Sequence, residues 1–384
     1  MEKAVIVSYY RWWEKRQKYF AKWLIENGYS VDYVIADFDH ISKSYSDGQD
    51  NPDYCVKIHV PAYTKNISIN RVYSNLVFCK KLFSYLEDKM PQVIVCLIPS
   101  NFLGDCMYRY RSRHKDAKII IDVLDLWPES LPIKESTKRL LNFPFAIWKK
   151  MRIKAFQSAT YVIFECGLFK KMMEYELRGK KSSILYLQKS EREYVPEKTI
   201  VDSINFAYIG SINNIIDIET ITEIISRVGE KRKVKLEIIG CGSNEQEFVH
   251  LAQSRNIETI FHGAIFDEKE KKAIFSRCHF GINIMKRNVA VGLTTKSMEY
   301  LESGLPLLNS IPADTSELIV KYGAGINIFD EQNIVDSLSK LTQAEYNRLQ
   351  LGAIQLYDNE FSTKIFEKKL NNILSEIIGG NNND

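Results

Sequence analysis

The feature that most constrains this chain is a rhythm. Short apolar, β-branched runs alternate with amphipathic segments, and the alternation stops once and begins again. Runs near 3–8, 31–35, 55–60, 92–98, 118–123, 160–164 and 183–187 read as strands. Helical stretches lie between them, for example 14–27 closed by Gly28 and 70–88 closed before Pro91. Strands joined through helices run parallel, and a parallel sheet is covered on both faces, so the pattern predicts α/β layers. The polar segment "LQKSEREYVPEKTIVDS" (187–203) breaks the rhythm. After it "INFAYIG", "VKLEIIG", "ETIFHG", "HFGINIM", "LPLLNS" and "AGINIF" return as strands, and a helix over 361–378 closes the pattern.

A chain of 384 residues exceeds one ordinary core. The expectation is two Rossmann-like, doubly wound parallel-sheet domains facing each other across a cleft. They are placed at 1–190 and 204–358, with a linker at 191–203. A helix at 359–378 is expected to pack back on the N-terminal domain, ahead of a disordered tail at 379–384. In open parallel sheets ligands sit beyond the carboxyl ends of the strands, so the residues just after each strand are the ones to inspect.

Composition narrows the class. Hydrophobic residues at 45% and charged residues at 26% describe a globular chain, and a net charge of +4 is far from that of a dedicated nucleic-acid binder. Seven cysteines, at 55, 79, 96, 106, 166, 241 and 278, form no Cys-x-x-Cys pair, which argues against a zinc site or a disulfide framework. Reduced thiols fit a cytoplasmic protein. The N-terminal "MEKAVIVSYY" reads as a strand rather than a signal peptide, and no apolar run approaches a bilayer span. Any membrane contact is therefore expected to be peripheral. No Gly-x-Gly-x-x-Gly follows the first strand, where "VSYYRWW" stands, which argues against a dinucleotide-dependent dehydrogenase.

The richest chemistry lies in "GLTTKSMEYLESGLP" (292–306). Gly292–Thr295 would present amides and two hydroxyls at a helix start, an anion site, and Lys296 would add a charge toward a diphosphate. Glu299, one turn on, has two readings: a carboxylate complementing the helix dipole, or an acceptor for the two hydroxyls of a ribose. Strand-end glycines at Gly210, Gly240, Gly242 and Gly263 would let a ligand approach the backbone, although packing alone also uses glycine there.

With its His-Gly strand end, Lys-x-x-Glu-Tyr-Leu helix, Gly-x-Pro and final Gly-x-Gly, the stretch 261–326 resembles the donor-binding half of GT-B glycosyltransferases of the family 4 type. It is similar to bacterial capsule and exopolysaccharide enzymes whose loop reads Gly-Leu-Thr before that lysine. The resemblance implies that Glu299 grips the donor ribose. Lys286, Leu293, Thr294, Thr295 and Lys296 then contact the donor, with Gly210, Ser211 and Gly240 forming the turns beneath the diphosphate. Two positions depart from the pattern. Val291 stands where a first glutamate would face the transferred sugar, and "GSINNIID" lacks the usual Arg and Lys, leaving Lys286, Arg287 and Lys296 as candidate cations.

In the first half, "PAYTKNISINRVYSN" resembles the acceptor half of polysaccharide transferases through Asn66, Ser68 and Arg71. Arg71 either serves the site or pairs with a surface carboxylate. "IIIDVLDLWPES" (119–130) places Asp122, Asp125 and Glu129 at a strand's carboxyl end. Asp125 is expected as a base or acceptor-hydroxyl anchor, Glu129 second, and Trp127 beside the acceptor; the alternative is loop capping around a Trp-Pro corner. The basic, aromatic "KRLLNFPFAIWKKMRIKAF" (138–156), and secondly the helix near Trp12, would suit an anionic membrane surface or simply pack on the sheet.

The resemblance thus implies a retaining glycosyltransferase, transferring a hexosyl or N-acetylhexosaminyl group from a UDP-sugar. The acceptor would be a lipid-linked glycan or an oligosaccharide of bacterial surface polysaccharide, at the inner face of the plasma membrane. Candidate catalytic residues are Asp125, Glu129 and Lys296. No metal-ligating constellation is apparent in the sequence, so neither metal nor other cofactor is expected, and no nucleic acid. A GT-B nucleotide-sugar epimerase and a non-catalytic partner subunit remain as alternatives, the latter favoured by Val291.

Overall fold

The computed structural model describes residues 1–10, 16–45, 51–66, 68–130, 142–200, 203–287, 291–329 and 331–379. The helix near Trp12, the start of the basic segment at 138–141, linker residues 201–202 and most of the expected tail lie outside them. The chain divides into two compact units, residues 1–188 with 366–384 and residues 189–365. The segment expected as a linker thus belongs to the second unit, and most of the last helix to the first.

In the first unit each apolar run becomes a strand: β1 Lys3–Val7, β2 Ser30–Ala36, β5 Cys55–Ile58, β6 Val93–Ile98, β7 Lys118–Val123, β8 Tyr161–Phe164 and β9 Ser182–Ile184. Between β2 and β5 a small antiparallel hairpin pairs β3 Phe38–Asp39 with β4 Ser44–Tyr45. The seven main strands form one parallel sheet in the order β5-β2-β1-β6-β7-β8-β9. The order runs outward both ways from β1, which is double winding. "VIVCLI" of β6 is buried at every position, as a central parallel strand covered on both faces must be. The long helix Ile69–Lys89 starts on Ser68, whose hydroxyl accepts from the Arg71 amide at 3.2 Å, and ends on Met90 in the left-handed region before Pro91. The last helix, Thr363–Ile378, is held within this unit by Lys22 on Glu367 at 2.8 Å and by Lys118 on the Ile377 carbonyl at 2.9 Å.

An ion pair sits in the first unit's core. Arg16 and Asp122 are both wholly buried and pair at 3.1 Å, and Arg16 also donates to the Leu185 carbonyl at 3.1 Å. Burial pushes the Asp122 carboxyl up to about 6 against the opposing pull of Arg16. Asp122 is therefore a core ion-pair partner and does not join Asp125 and Glu129 at the strand end.

The second unit repeats the architecture with β10 Ser203–Ile209, β11 Lys233–Ile239, β12 Glu258–Phe261, β13 Phe280–Asn283, β14 Leu307–Asn309 and β15 Gly325–Asn327. They form a parallel sheet in the order β12-β11-β10-β13-β14-β15. An isoleucine-rich core packs beneath helix Ile218–Gly229, five of whose residues in that core are Ile or Val. Helix Thr295–Glu302 lies over Gly281, where a Cβ would meet the Tyr300 ring at 2.2 Å.

The turns after β10 and β11 stack backbone on backbone. A Cβ on Gly240, at φ +155°, would meet the Gly210 carbonyl oxygen at 2.0 Å, whereas one on Gly210, at φ +116°, would enter open space. Gly240→Ala is therefore expected to lose about 4 kcal/mol or more. Gly210→Ala should lose only the left-handed backbone cost of about 1–2 kcal/mol. Urea unfolding of the two variants, followed by circular dichroism, checks the difference.

Candidate active site

The second unit's site is built on strand-end asparagines. β13, β14 and β15 each end in Asn, and the register sets Asn283, Asn309 and Asn327 side by side. Asn283 donates to Asn309 Oδ1 at 2.9 Å, and Asn309 donates to Asn327 Oδ1 at 2.8 Å. At the buried β13 end of this ladder, Asn283 Oδ1 accepts from Thr294 Oγ1 at 3.1 Å. Thr294 is in turn the N-cap of helix Thr295–Glu302, accepting from the Ser297 amide at 3.2 Å. Tyr300 ties the same helix to two strands: its hydroxyl accepts from the Ile209 amide at 2.7 Å and donates to the Ile282 carbonyl at 3.2 Å. The helix start is thus fixed over the carboxyl ends of β10 and β13. There the first-turn amides have no intrahelical acceptor and the dipole favours an anion.

Lys296 occupies that first turn. It is 8% exposed, and its Nζ sits 5.1 Å from the centre of the Tyr208 ring. The Tyr208 hydroxyl donates to the Ser211 carbonyl at 2.8 Å, so lysine, ring and the Gly210–Ser211 turn form one wall. Five Lys or Arg side chains are buried among the described residues: Arg16, Arg152, Lys198, Lys271 and Lys296. Arg16 has Asp122, and Arg152 has Glu129 and Glu176. Lys271 has Glu268 and Glu299, and Lys198 donates to the carbonyls of Phe275 and Cys278 at 2.8 and 3.0 Å. Lys296 alone of the five has neither carboxylate nor hydrogen-bonded carbonyl among the described residues. Burial pushes its ammonium down to about 8.

Glu299 is partly exposed and faces two cations, accepting from Lys271 at 3.3 Å with Lys189 at 4.0 Å. Glu302, one turn on, takes Lys189 at 3.1 Å. Leu293 and Thr294 are half-buried, and Thr295 is exposed at the helix start. Gly240 underlies Gly210, its amide donating to the Gly263 carbonyl at 2.7 Å. The Lys286 amide donates to the Ile215 carbonyl at 2.9 Å, laying the segment after β13 against the "GSINNIID" turn while its side chain is exposed. Val291 is half-buried beside Gly292.

The first unit holds a cavity of about 370 Å³ beyond the carboxyl ends of β1, β6 and β7. Arg71 and Trp127 meet there, the guanidinium 4.9 Å from the indole centre, and Arg71 also reaches the Tyr10 hydroxyl and, at 2.7 Å, the Asn66 carbonyl. Trp127 stacks on Trp148 with ring centres 6.4 Å apart. Asp125 does not line this cavity. Its carboxylate accepts from the Trp127 indole and the Leu126 amide, both at 2.8 Å, and from Ser130, so it caps its loop and sets the tryptophan. Glu129 binds Arg152 through both oxygens at 2.7 and 2.9 Å; burial opposes its charge, but Arg152 holds it below the usual carboxylate range. Arg152 in turn donates to the Trp127 carbonyl at 2.9 Å.

Against solved structures, the chain matches lipopolysaccharide outer core galactosyltransferase WaaB at TM-score 0.67 and 14% identity, over 98% of this chain and 100% of that one. It matches HepE of Anabaena, solved in complex with UDP, at TM-score 0.67 and 10% identity over 98% and 100%. The fold is GT-B. S. aureus TarM, solved with UDP, aligns at TM-score 0.55 and 14% identity over 78% of this chain, which spans 59% of the TarM length. No family model matches the chain, and no curated protein matches it by sequence. The asparagine ladder and Tyr300 belong to the second unit; the ladder had no place among the sequence expectations, and Tyr300 stood there only as part of the Lys-x-x-Glu-Tyr-Leu helix. The signal was available as three strands closing "FGIN", "PLLN" and "AGIN".

Asn309→Ala should strand the Asn283 amide and loosen Thr294, costing about 1–3 kcal/mol. Hydrogen exchange should show the Ser297 amide losing protection ahead of the core strands.

Proposed function

We propose that the chain is a retaining glycosyltransferase that moves a hexosyl or N-acetylhexosaminyl group from a UDP-sugar. The acceptor is a lipid-linked glycan or an oligosaccharide in bacterial surface polysaccharide synthesis. The observation that carries the donor half of this reading is Lys296, a buried cation without a counter-charge among the described residues, at a capped helix start. An anion of the size of a diphosphate completes that site. Cleaving the sugar–phosphate bond leaves negative charge on the nucleotide diphosphate. A cation and oriented amides already in place stabilise that charge without reorganising. Glu299, one turn along, is the ribose acceptor, its carboxylate oriented by Lys271. No protein nucleophile is required, and no metal is invoked.

The cationic form of Lys296 is the binding form. Its pKa lies near 8 in the free protein, so UDP affinity should hold between pH 7 and 8 and fall up to about tenfold per pH unit above 8. Lys296→Met should weaken UDP binding about 10- to 100-fold at pH 7 and flatten that slope, as measured by calorimetry. A Glu299→Ala protein that kept full donor affinity and turnover would sink the proposal.

A lipid-linked acceptor calls for a membrane surface. Among the described residues no helix is long and apolar enough to cross a bilayer. Helix Asn142–Ser158 exposes Phe143 and Ile147 one turn apart, beside exposed Lys149 and Lys150, a set suited to an anionic interface. Sedimentation with phosphatidylglycerol-containing vesicles should be lost in the Phe143→Ser/Ile147→Ser variant and weakened by salt.

A further inference from the structure

The cavity of the first unit is more specific than an acceptor groove in general. Among the described residues its lining carries one formal charge, Arg71, and no carboxylate. No ion pair engages Arg71 among the described residues; it meets the Asn66 carbonyl, the Tyr10 hydroxyl and aromatic faces. Asp125, whose charge reaches Tyr10, is turned to the Trp127 indole, Leu126 and Ser130. Two helices begin at the cavity wall, Ile69–Lys89 behind Ser68 and Leu103–Arg113 behind Phe102. Their dipoles add positive potential.

A second observation is independent of the charge. Asn75 and Asn101 line the cavity at 3% and 4% exposure, and the side-chain oxygen of each is buried with no hydrogen-bond partner among the described residues. Their orientation is set by the other end of the amide: Asn75 Nδ2 donates to the Arg71 carbonyl at 2.8 Å, and Asn101 Nδ2 to the Trp127 carbonyl at 2.8 Å. Buried acceptors without partners call for a ligand that donates hydrogen bonds. The stacked indoles of Trp127 and Trp148 supply flat apolar walls, which suit the C–H face of a sugar ring.

We infer that this cavity binds a hydroxylated ring bearing an oxyanion, either an acidic sugar or a sugar phosphate. Its hydroxyls meet Asn75 and Asn101, its ring the indoles and its anion Arg71. The inference rests on the glycosyltransferase reading only in calling this ring the acceptor's; the binding preference stands by itself. A volume of about 370 Å³ is within the range of small-ligand pockets.

The test is binding to the full chain, read by tryptophan fluorescence and calorimetry, with methyl glucuronide, glucose 1-phosphate and neutral methyl glucoside. At least one anionic sugar should bind tenfold or more tighter than the glucoside. The tighter of the two names the source of the oxyanion. Arg71→Gln should erase that preference while leaving glucoside binding within about threefold. Trp148→Leu should weaken all three together and keep the preference. Thermal unfolding of both variants, and their retained UDP affinity, confirm that they fold. Equal binding of the three sugars, binding of none, or a preference that survives Arg71→Gln overturns the inference. UDP binding that depends on Lys296 reports on the donor reading separately, so either can fail while the other stands.

Discussion

A cation withdrawn from water needs a counter-charge or a ring of acceptors, and the second unit's site depends on one that has neither within the described chain. Arg16, Arg152, Lys198 and Lys271 are each answered by carboxylates or carbonyls. Lys296 is answered by an aromatic face, which attracts a cation far less strongly than an anion does. Burial without a partner lowers its proton affinity and leaves a positive potential at the end of β10. A lysine free to swing into solvent would relax that potential. Packed against Tyr208 beneath a capped helix, it holds its place.

That placement is made by polar groups that do no chemistry themselves. The asparagine ladder spans three strand ends and terminates on Thr294, which caps the helix that carries Lys296 and Glu299. Tyr300 pins the same helix from below. Backbone stacking at Gly240 brings the neighbouring turn against Gly210 closely enough to exclude any side chain between them. The first unit uses the same logic with charges in place of amides. Asp125 holds the Trp127 indole nitrogen, and Arg152, itself clamped by Glu129, holds the Trp127 carbonyl. Its cavity wall is therefore rigid although its lining is mostly apolar.

Much of the fold was legible in the chain. Apart from the run at 183–187, whose strand stops at Ile184, the apolar runs became strands within one or two residues, because parallel strands buried on both faces leave a continuous β-branched signature. The loop-to-helix junction at 292–299 was legible for a similar reason, since a Thr cap followed by a periodic helix is a local pattern. The carboxylates at and after the end of β7 were not. Asp122, Asp125 and Glu129 look alike in sequence, yet one is a core ion-pair partner, one a loop cap and one an arginine clamp. Those differences depend on Arg16, Trp127 and Arg152, which lie from 2 to 106 residues away along the chain.

By itself the sequence determined two parallel α/β sheets, their strand boundaries, and a helix start furnished with amides, hydroxyls and a lysine, since hydrophobic period and capping are local properties. Only the tertiary structure decided which charges are left unanswered. Whether Lys296 or Arg71 meets a carboxylate depends on what distant segments bring alongside it. A one-dimensional chain carries the residues of a site, but the balance of charge in that site is a property of three-dimensional neighbours.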